Sequence, residues 1–291
     1  MDAGEGGVAA VLRGLLELTR PGNVVAAGVL TFTGSFVASG FGAAPLPVAA
    51  AVAATGFATA AGNAVNDYFD RYVDRVNRPD RPIPRGAVTA RTGLVFSGLL
   101  FLGAVVAAVT LPLAAIAIAV ANLLALLAYT KLFKGLPGVG NVVVAYLTGS
   151  TFLFGAAAVG RVADPAVVVL FALAALATLS RELGKDVEDI DGDRAEGLRT
   201  LPIVAGERTA LRIGAAVLVV AVAASAVPYA MGTFGPAYVA VVLPADLVML
   251  DAIRRSVADP GVAQRRLKRG MFLAAVAFIV GRAVGAVGGA V

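Results

Sequence analysis

Cysteine and histidine are both absent from this chain of 291 residues. Without cysteine, no disulfide framework and no zinc–thiolate site can form. Without histidine, the chain lacks the base of Ser-His and Cys-His catalytic pairs, and it lacks imidazole metal ligands. Any catalytic or metal-binding chemistry must therefore use carboxylates, amides, hydroxyls and basic side chains.

Charged residues are also scarce. They make up 15% of the chain, whereas hydrophobic residues make up 59% and the mean hydropathy is +0.86. A soluble domain has roughly 45–50% apolar and about 25% charged residues, so the composition predicts a polytopic membrane protein. The net charge of +5 does not indicate a nucleic-acid partner, because the basic residues cluster between apolar runs.

Windows of about 20 apolar residues, the length that crosses a bilayer, predict an all-α bundle of nine transmembrane helices. The predicted spans are residues 22–41, 46–65, 92–109, 113–130, 138–159, 165–183, 208–228, 234–251 and 271–289. The first apolar stretch is too long for the core of a cleaved signal peptide, so it is read as a retained helix. Residues 1–291 are therefore interpreted as a single polytopic domain.

Charge alternates between the segments that connect these spans. Segments after even-numbered spans are rich in Arg and Lys, whereas those after odd-numbered spans are nearly uncharged, with Arg161 the main exception. The positive-inside rule then predicts a cytoplasmic N-terminus and an external C-terminus. Segments 66–91 and 184–207 both fall on the cytoplasmic side. Each follows an even-numbered span, and this faint repeat is consistent with two four-helix halves plus a ninth helix.

Two acidic clusters about 120 residues apart carry most of the functional information. The first, within segment 66–91, contains Asn66, Asp67, Asp70 and Asp74; the second, within segment 184–207, contains Asp186, Asp189 and Asp193. At helical spacing, Asn66, Asp70 and Asp74 share one face, and so do the three Asp of the second cluster. Like charges stacked in this way repel, so each stripe should hold a cation. Oxygen ligands alone indicate Mg²⁺, which usually binds one or two carboxylates together with substrate phosphates.

Two acidic stripes on one side of a membrane bundle favour chemistry on a diphosphate. Metal ions would neutralise the charge on the departing diphosphate, and an apolar chamber would protect the allylic carbocation that remains. Two other classes are weighed against this reading. A transporter should place its carboxylates near the bilayer midplane, whereas these lie at the ends of spans. A CDP-alcohol phosphotransferase concentrates its acidic residues in one segment.

The motifs resemble those of a known family. The pattern Asn66-Asp67-x-x-Asp70-x-x-x-Asp74, followed by Asn77-Arg78-Pro79-x-Arg81-Pro82, is similar to the first motif of the UbiA family of intramembrane prenyltransferases. Asp189-x-x-x-Asp193, preceded by Asp186, is similar to the second motif. The resemblance covers essentially the whole chain and implies nine helices and Mg²⁺-dependent prenyl transfer.

Three further stretches resemble the branch of this family that makes archaeal ether lipids: 16–23, 134–155 and 181–189. This likeness implies transfer of a geranylgeranyl group from its diphosphate to the free hydroxyl of geranylgeranylglyceryl phosphate. The expected partners are a prenyl diphosphate, a lipid glycerol phosphate and the lipid bilayer of the cell membrane, with no nucleic acid. An aromatic acceptor, as in quinone, chlorophyll or haem pathways, remains the alternative.

These arguments give four groups of predicted site residues. The catalytic candidates are Asn66, Asp70, Asp189 and Asp193, and the candidate metal ligands are Asn66, Asp67, Asp70, Asp74, Asp186, Asp189 and Asp193. The candidate diphosphate-binding residues are Arg78, Lys131 and Lys134, and the candidate acceptor-binding residues are Arg20, Asn23 and Tyr146. Arg is well suited to phosphate geometry, but the basic residues could also anchor the spans at the membrane surface, and Tyr146 could be an ordinary buried aromatic.

Overall fold

The computed structural model describes residues 3–133, 135–195 and 197–288, and these residues form helices and connecting segments without a β-strand. In chain order the α-helices are α1 (Ala3–Thr19), α2 (Pro21–Ser39), α3 (Pro45–Phe69), α4 (Arg71–Asn77), α5 (Ala90–Ala108), α6 (Leu113–Ala128), α7 (Val139–Ala158), α8 (Pro165–Glu188), α9 (Ile190–Ala195), α10 (Leu201–Ala205), α11 (Glu207–Ala224), α12 (Val227–Ala230), α13 (Pro236–Arg255) and α14 (Pro260–Gly288). The predicted all-α fold is confirmed.

Eight helical segments in the described part of the chain are long and apolar enough to cross a membrane. They correspond to eight of the nine predicted spans. The remaining prediction, the fourth span at residues 113–130, falls on α6. This helix has 16 residues and is shorter than the usual spanning length. A five-residue π-helical turn, Tyr129–Phe133, continues α6 towards the second acidic segment. The protein is therefore a multi-pass membrane protein.

Proline marks where many of the long helices begin. Pro21, Pro45, Pro165 and Pro236 each occupy the first turn of a helix, and α14 starts at Pro260. Proline suits this position because its fixed φ matches the helix and the first N–H groups have no intrahelical partner. Turn signals in the sequence thus explain several helix boundaries.

Two glycines allow α2 and α7 to cross in close contact. A Cβ on Gly34 would lie 2.1 Å from the carbonyl oxygen of Phe152, and a Cβ on Gly155 would lie 2.0 Å from that of Thr31. The Ser35 hydroxyl donates a hydrogen bond of 2.8 Å to the carbonyl oxygen of Gly155. Small residues promote helix association in membranes because they let backbones approach and form such contacts.

One end of the bundle is closed by two arginines. Arg282 of α14 donates to the carbonyl oxygen of Val37 near the end of α2, and it forms an ion pair of 3.3 Å with Asp164, which caps the start of α8. Arg161 donates to the carbonyl oxygen of Ala38. These contacts place the C-terminus of α2 and the N-terminus of α8 together, so the other ends of both helices lie at the opposite end of the bundle.

Two helical regions lie outside the predicted spans. The predicted span 271–289 falls on α14, which begins earlier, at Pro260, so the basic residues Arg265 to Arg269 belong to the first turns of this helix. A helix can extend past the membrane without apolar residues, since its backbone hydrogen bonds are internal. The structure also contains α1, an N-terminal helix that the search for spans did not find.

Candidate active site

Both acidic segments lie at the same end of the bundle. Arg20, just before α2, forms an ion pair of 2.5 Å with Asp67 in the last turn of α3. Asp186 lies in the last turn of α8. Because α2 and α8 meet at their other ends through Arg282, the start of α2 and the end of α8 share the remaining end. The first and second acidic segments can therefore contribute to one site.

In the first segment, Asp67 and Asp74 are buried and bound by arginines. Their exposed fractions are 3% and 5%. Arg81 donates to Asp67 at 3.1 Å and to Asp74 at 2.5 Å, and Arg20 also donates to Asp67. Two buried carboxylates are tolerated here because the arginines supply both charge and hydrogen bonds. This cluster, Arg20–Asp67–Arg81–Asp74, is called the arginine–aspartate cluster below.

Asn66 and Asp70, in contrast to Asp67 and Asp74, are exposed. The amide N–H of Asp70 donates to the Asn66 carbonyl, and that of Asp74 donates to the Asp70 carbonyl, each at 2.8 Å, so helical geometry continues between α3 and α4. Among described residues, the Asn66 and Asp70 side chains have no hydrogen bond or ion pair. These oxygens are open to a ligand.

Asn66, Asp70 and Asp74 were predicted to share one helix face, but their side chains fall into two groups. Asp74 stacks with Asp67 because seven residues are nearly two full helical turns, and both reach Arg81. Asn66 and Asp70, one turn apart, form the open pair. Residue spacing identified the acidic segment. Which of its side chains are paired and which are exposed depends on where Arg20 and Arg81 lie in the folded chain.

The second segment begins with Asp186, which is held from α7. The Asn141 side-chain amide donates to Asp186 Oδ2 at 2.8 Å, and Asn141 is buried, with 8% of its surface exposed. Helix α8 ends after Glu188, and the amide N–H of Asp193 donates to the Asp189 carbonyl at 2.9 Å, so α9 continues the helical course. Asp189 is exposed and lies 3.9 Å from Lys185, whereas Asp193 is half-buried.

Two neighbouring residues complete the surroundings of the second segment. Glu182, one turn before Asp186, is buried and pairs with Arg181. The phenol of Tyr129, at the start of the π-helical turn, lies within electrostatic range of Glu182, Asp186 and Asp193. The backbone N–H of Arg199 donates to the Gly135 carbonyl at 3.2 Å. These contacts bring the end of α6 to the second segment.

An open pocket of about 530 Å³ adjoins the first segment. It is lined by Glu17, Arg20, Asp67, Arg78, Pro79, Asp80, Arg81 and Pro82. Arg78 is exposed, whereas Arg20 and Arg81 are partly engaged by Asp67. Arg20 has a φ of 50°, in the left-handed region, and this conformation turns the chain from α1 into α2. Several guanidinium groups around one cavity are suited to bind a phosphate.

The remaining predicted site residues are more scattered. Asn23 is exposed in the first turn of α2. Tyr146 is half-buried on α7 and meets the ring of Phe171 edge-on, with centroids 6.3 Å apart. Lys131 belongs to the π-helical turn Tyr129–Phe133, and Lys134 lies outside the described residues.

Sequence reasoning assigned no role to two residues that organise the site. Arg81 appeared only as part of a motif, although a basic residue closely following acidic ones is a signal for a pair. Asn141 is a buried amide at the start of an apolar span, and polar side chains in such positions commonly bind a partner. Its partner, Asp186, is 45 residues away, so spacing alone does not reveal the contact.

The donor atoms of the site fit a hard divalent cation. Within the part of the chain that the structure describes, no group of three or more acidic side chains is close enough to form a complete metal site. The open oxygens of Asn66 and Asp70 and the exposed carboxylate of Asp189 suit an ion that binds few protein ligands. Mg²⁺ is such an ion, since it retains waters and takes phosphate oxygens from its substrate.

The family model of the UbiA prenyltransferase family matches residues 27–276, so the chain belongs to this family and is a prenyltransferase. A digeranylgeranylglyceryl phosphate synthase of Haloquadratum walsbyi is 63% identical over 95% of this chain and 97% of that one. The enzyme of the same name from Natronomonas pharaonis is 62% identical over 93% and 97% of the two chains. The resemblance found in the motifs is confirmed, and the transporter and CDP-alcohol phosphotransferase readings are set aside.

Solved structures agree with this assignment. A structure concerned with digeranylgeranylglyceryl phosphate synthase in membranes aligns with a TM-score of 0.80 and 34% identity, over 94% of this chain and 99% of that one. A UbiA homologue from Archaeoglobus fulgidus bound to DMAPP and Mg²⁺ aligns with a TM-score of 0.68 over 93% and 98% of the chains. At 17% identity, the second likeness shows the fold alone.

Proposed function

We propose that this protein transfers a geranylgeranyl group from geranylgeranyl diphosphate to the free hydroxyl of geranylgeranylglyceryl phosphate. The product would carry the second ether bond of an archaeal membrane lipid. The observation that carries this proposal is the 63% identity, over 95% of the chain, to a digeranylgeranylglyceryl phosphate synthase. The arginine-lined pocket beside the first acidic segment supports it, because this acceptor brings a second anionic head group.

Mg²⁺ is the proposed cofactor. We assign Asn66 and Asp70 of the first segment and Asp186, Asp189 and Asp193 of the second to the metal–diphosphate complex. Mg²⁺ held there would neutralise the negative charge that develops on the departing diphosphate. Asn141 would fix the orientation of Asp186, as partners behind a ligand commonly do.

Asp67 has a different proposed role. Its carboxylate already accepts hydrogen bonds from Arg20 and Arg81, and it is nearly inaccessible to solvent. To bind a metal ion it would have to exchange two guanidinium partners. We infer that Asp67 instead positions these arginines at the wall of the pocket, while Asp74, which pairs with Arg81, remains a candidate ligand.

The basic residues divide between the two anionic substrates. Arg78, Lys131 and Lys134 are assigned to the donor diphosphate, since Arg78 lines the pocket, Lys131 belongs to the π-helical turn after α6, and Lys134 follows that turn in the sequence. Arg20 and Asn23, at the start of α2, are assigned to the acceptor phosphate. Tyr146 is assigned to the cavity wall that contacts an acceptor chain.

The proposed reaction breaks the bond between prenyl C1 and the diphosphate oxygen, and the electron pair leaves with the diphosphate. The acceptor hydroxyl oxygen then bonds to C1, its proton is released, and an ether results. An alcohol is a weak nucleophile, so the allylic cation should form largely before attack. The apolar helices keep water from this cation, and electron-withdrawing fluorine near C1 should slow the reaction strongly.

We propose that the site faces the cytoplasm, with the N-terminus on the same side. The alternation of basic segments supports this orientation. Because the chain has no cysteine, single substitutions Asn77→Cys and Ala195→Cys can be labelled from either side of a sealed vesicle. Both should react from the cytoplasmic side, and labelling from opposite sides would refute a shared site.

The function is tested with purified protein and labelled geranylgeranyl diphosphate. The acceptor is either geranylgeranylglyceryl phosphate or 4-hydroxybenzoate, and each reaction is run with Mg²⁺ and with chelator. We expect a product that depends on Mg²⁺ and forms preferentially with the lipid phosphate. Preference for the aromatic acceptor would overturn the substrate assignment and retain prenyl transfer, whereas full activity in chelator would overturn the metal assignment.

A further inference from the structure

Helix α1 has an apolar stripe that no other part of the described protein covers. Val8, Leu12 and Leu16 recur every fourth residue, so they lie on one side of the helix. Their exposed fractions are 63%, 61% and 60%. Large apolar side chains grouped on one helix face usually mark a surface that contacts a partner or a membrane.

The opposite side of α1 is packed against the bundle. Leu18 is fully buried with Ala64, near the end of α3, and with Val88, just before α5. Gly14 is so close to Val88 that a Cβ at position 14 would lie 2.6 Å from Val88 Cγ2. Helix α1 therefore lies beside the last turns of one span and the start of another, at the level where the helices leave the membrane.

A third side of α1 is charged. Arg13 donates to Glu17 at 3.2 Å, and the Arg13 side chain is 82% exposed. Glu17 also accepts from Arg85 at 2.6 Å, and Arg85 donates to the Asp80 carbonyl at 2.8 Å. The charged side is thus joined to the segment between α4 and α5, which carries several arginines and would complement anionic head groups.

We propose that α1 is an interfacial helix whose Val8–Leu12–Leu16 stripe is inserted between the lipid head groups and the acyl chains. A single residue, Arg20, separates α1 from the spanning helix α2. Four residues of helix cover about 6 Å, so Leu16 cannot be far from the membrane surface. A helix with one apolar side and one charged side, and with charges that prevent spanning, adopts this position.

Fluorescence quenching tests this placement in the otherwise cysteine-free chain. Leu12→Cys and Leu16→Cys probe the stripe, and Arg13→Cys probes the charged side of the same helix. Leu99→Cys on α5 is the control within a span, and Arg194→Cys on α9 is the control in water. Each variant carries an environment-sensitive fluorophore and is reconstituted into vesicles of phosphatidylcholine and phosphatidylglycerol. The quenchers are iodide in water and nitroxide lipids labelled at shallow or deep positions.

At positions 12 and 16 we expect iodide quenching at least about fivefold weaker than at position 194, because the stripe is out of water. Shallow nitroxides should quench these positions more than deep ones, and position 99 should show the reverse. Position 13 should resemble position 194. Iodide quenching at 12 and 16 equal to that at 194 would overturn the proposal. Shielding from iodide without quenching by any lipid would also overturn it, since the cover would then be protein.

Discussion

The two acidic segments resemble each other in composition but hold their carboxylates in different ways. In the first, Asp67 and Asp74 are buried against Arg20 and Arg81, whereas the Asp70 carboxylate is open. In the second, Asp186 is held by a neutral amide from Asn141, and Asp189 lies 3.9 Å from the exposed Lys185. The first segment therefore combines a buried charged cluster with the exposed pair Asn66 and Asp70, which we propose as metal ligands, and the second is arranged mainly to present carboxylates.

We infer from this difference that acidic residues of one motif have separate tasks. A carboxylate neutralised by two arginines, as Asp67 is, contributes little negative charge to a metal ion, but it fixes the arginines that a phosphate can meet. We propose that the carboxylates held by an amide or exposed to water bind the metal. The predictions below test this division and are ordered by expected effect on free energy.

The largest effect is expected from Arg81→Ala. Removing this side chain leaves the buried carboxylates of Asp67 and Asp74 without a shared counter-charge, which should cost about 3–5 kcal/mol of stability. Thermal unfolding in detergent measures the change, and Arg194→Ala, which removes a surface pair of 3.7 Å in the second segment, is the matched control. Equal melting temperatures of Arg81→Ala and the control would show that the cluster is not structurally important.

The proposed metal ligands should dominate catalysis. Asn66→Ala, Asp70→Ala, Asp189→Ala and Asp193→Ala should each lower turnover by at least about 100-fold, because charge stabilisation on the leaving group is lost. The control is Asp191→Ala, whose side chain is 96% exposed in the same second segment. Steady-state rates at saturating substrate are the readout. A similar loss for Asp191→Ala would mean that the general charge of the segment, and not the particular ligands, matters.

Asn141→Leu should have a smaller effect. Without its amide, Asp186 loses the hydrogen bond that orients it, and the Mg²⁺ concentration for half-maximal rate should rise about 10-fold, as for other partners of metal ligands. Asn141→Gln, which retains the amide, should recover part of the affinity. An unchanged Mg²⁺ dependence in Asn141→Leu would indicate that Asp186 does not bind the metal.

The smallest effect is expected from Lys185→Ala. The Lys185 and Asp189 side chains are 53% and 58% exposed and 3.9 Å apart, and such surface pairs contribute about 0–1 kcal/mol. The melting temperature should therefore stay close to that of the parent protein. A decrease as large as that of Arg81→Ala would remove the contrast between the two segments.

Much of the fold was predictable because the bilayer imposes a length on every span. Apolar runs such as 165–183 correspond to helices such as α8. The start of α14 was not predictable from hydropathy, since its first turns carry charged residues. Helix α1 was missed for a similar reason: its one-sided apolar pattern is too polar for a span.

The two acidic segments could also be recognised from the spacing of their residues. The separate roles of those residues could not be predicted in this way. Asp67 and Asp70 look equivalent in the sequence, yet one is buried and the other is exposed. The difference arises from Arg20, which is 47 residues from Asp67 in the chain, and from Arg81, beyond the end of α4. Contacts between distant residues depend on helix packing, and the pattern of one segment does not contain that information.

The most direct test compares Asp67→Asn with Asp70→Asn in a Mg²⁺ titration of geranylgeranyl transfer to geranylgeranylglyceryl phosphate. Both changes remove one negative charge and keep nearly the same shape. If Asp70 binds the metal and Asp67 positions arginines, Asp70→Asn should raise the half-saturating Mg²⁺ concentration at least about 10-fold. Asp67→Asn should leave it within about twofold of the parent value while lowering the melting temperature. Equal shifts in Mg²⁺ dependence for the two variants would contradict the proposed division of roles.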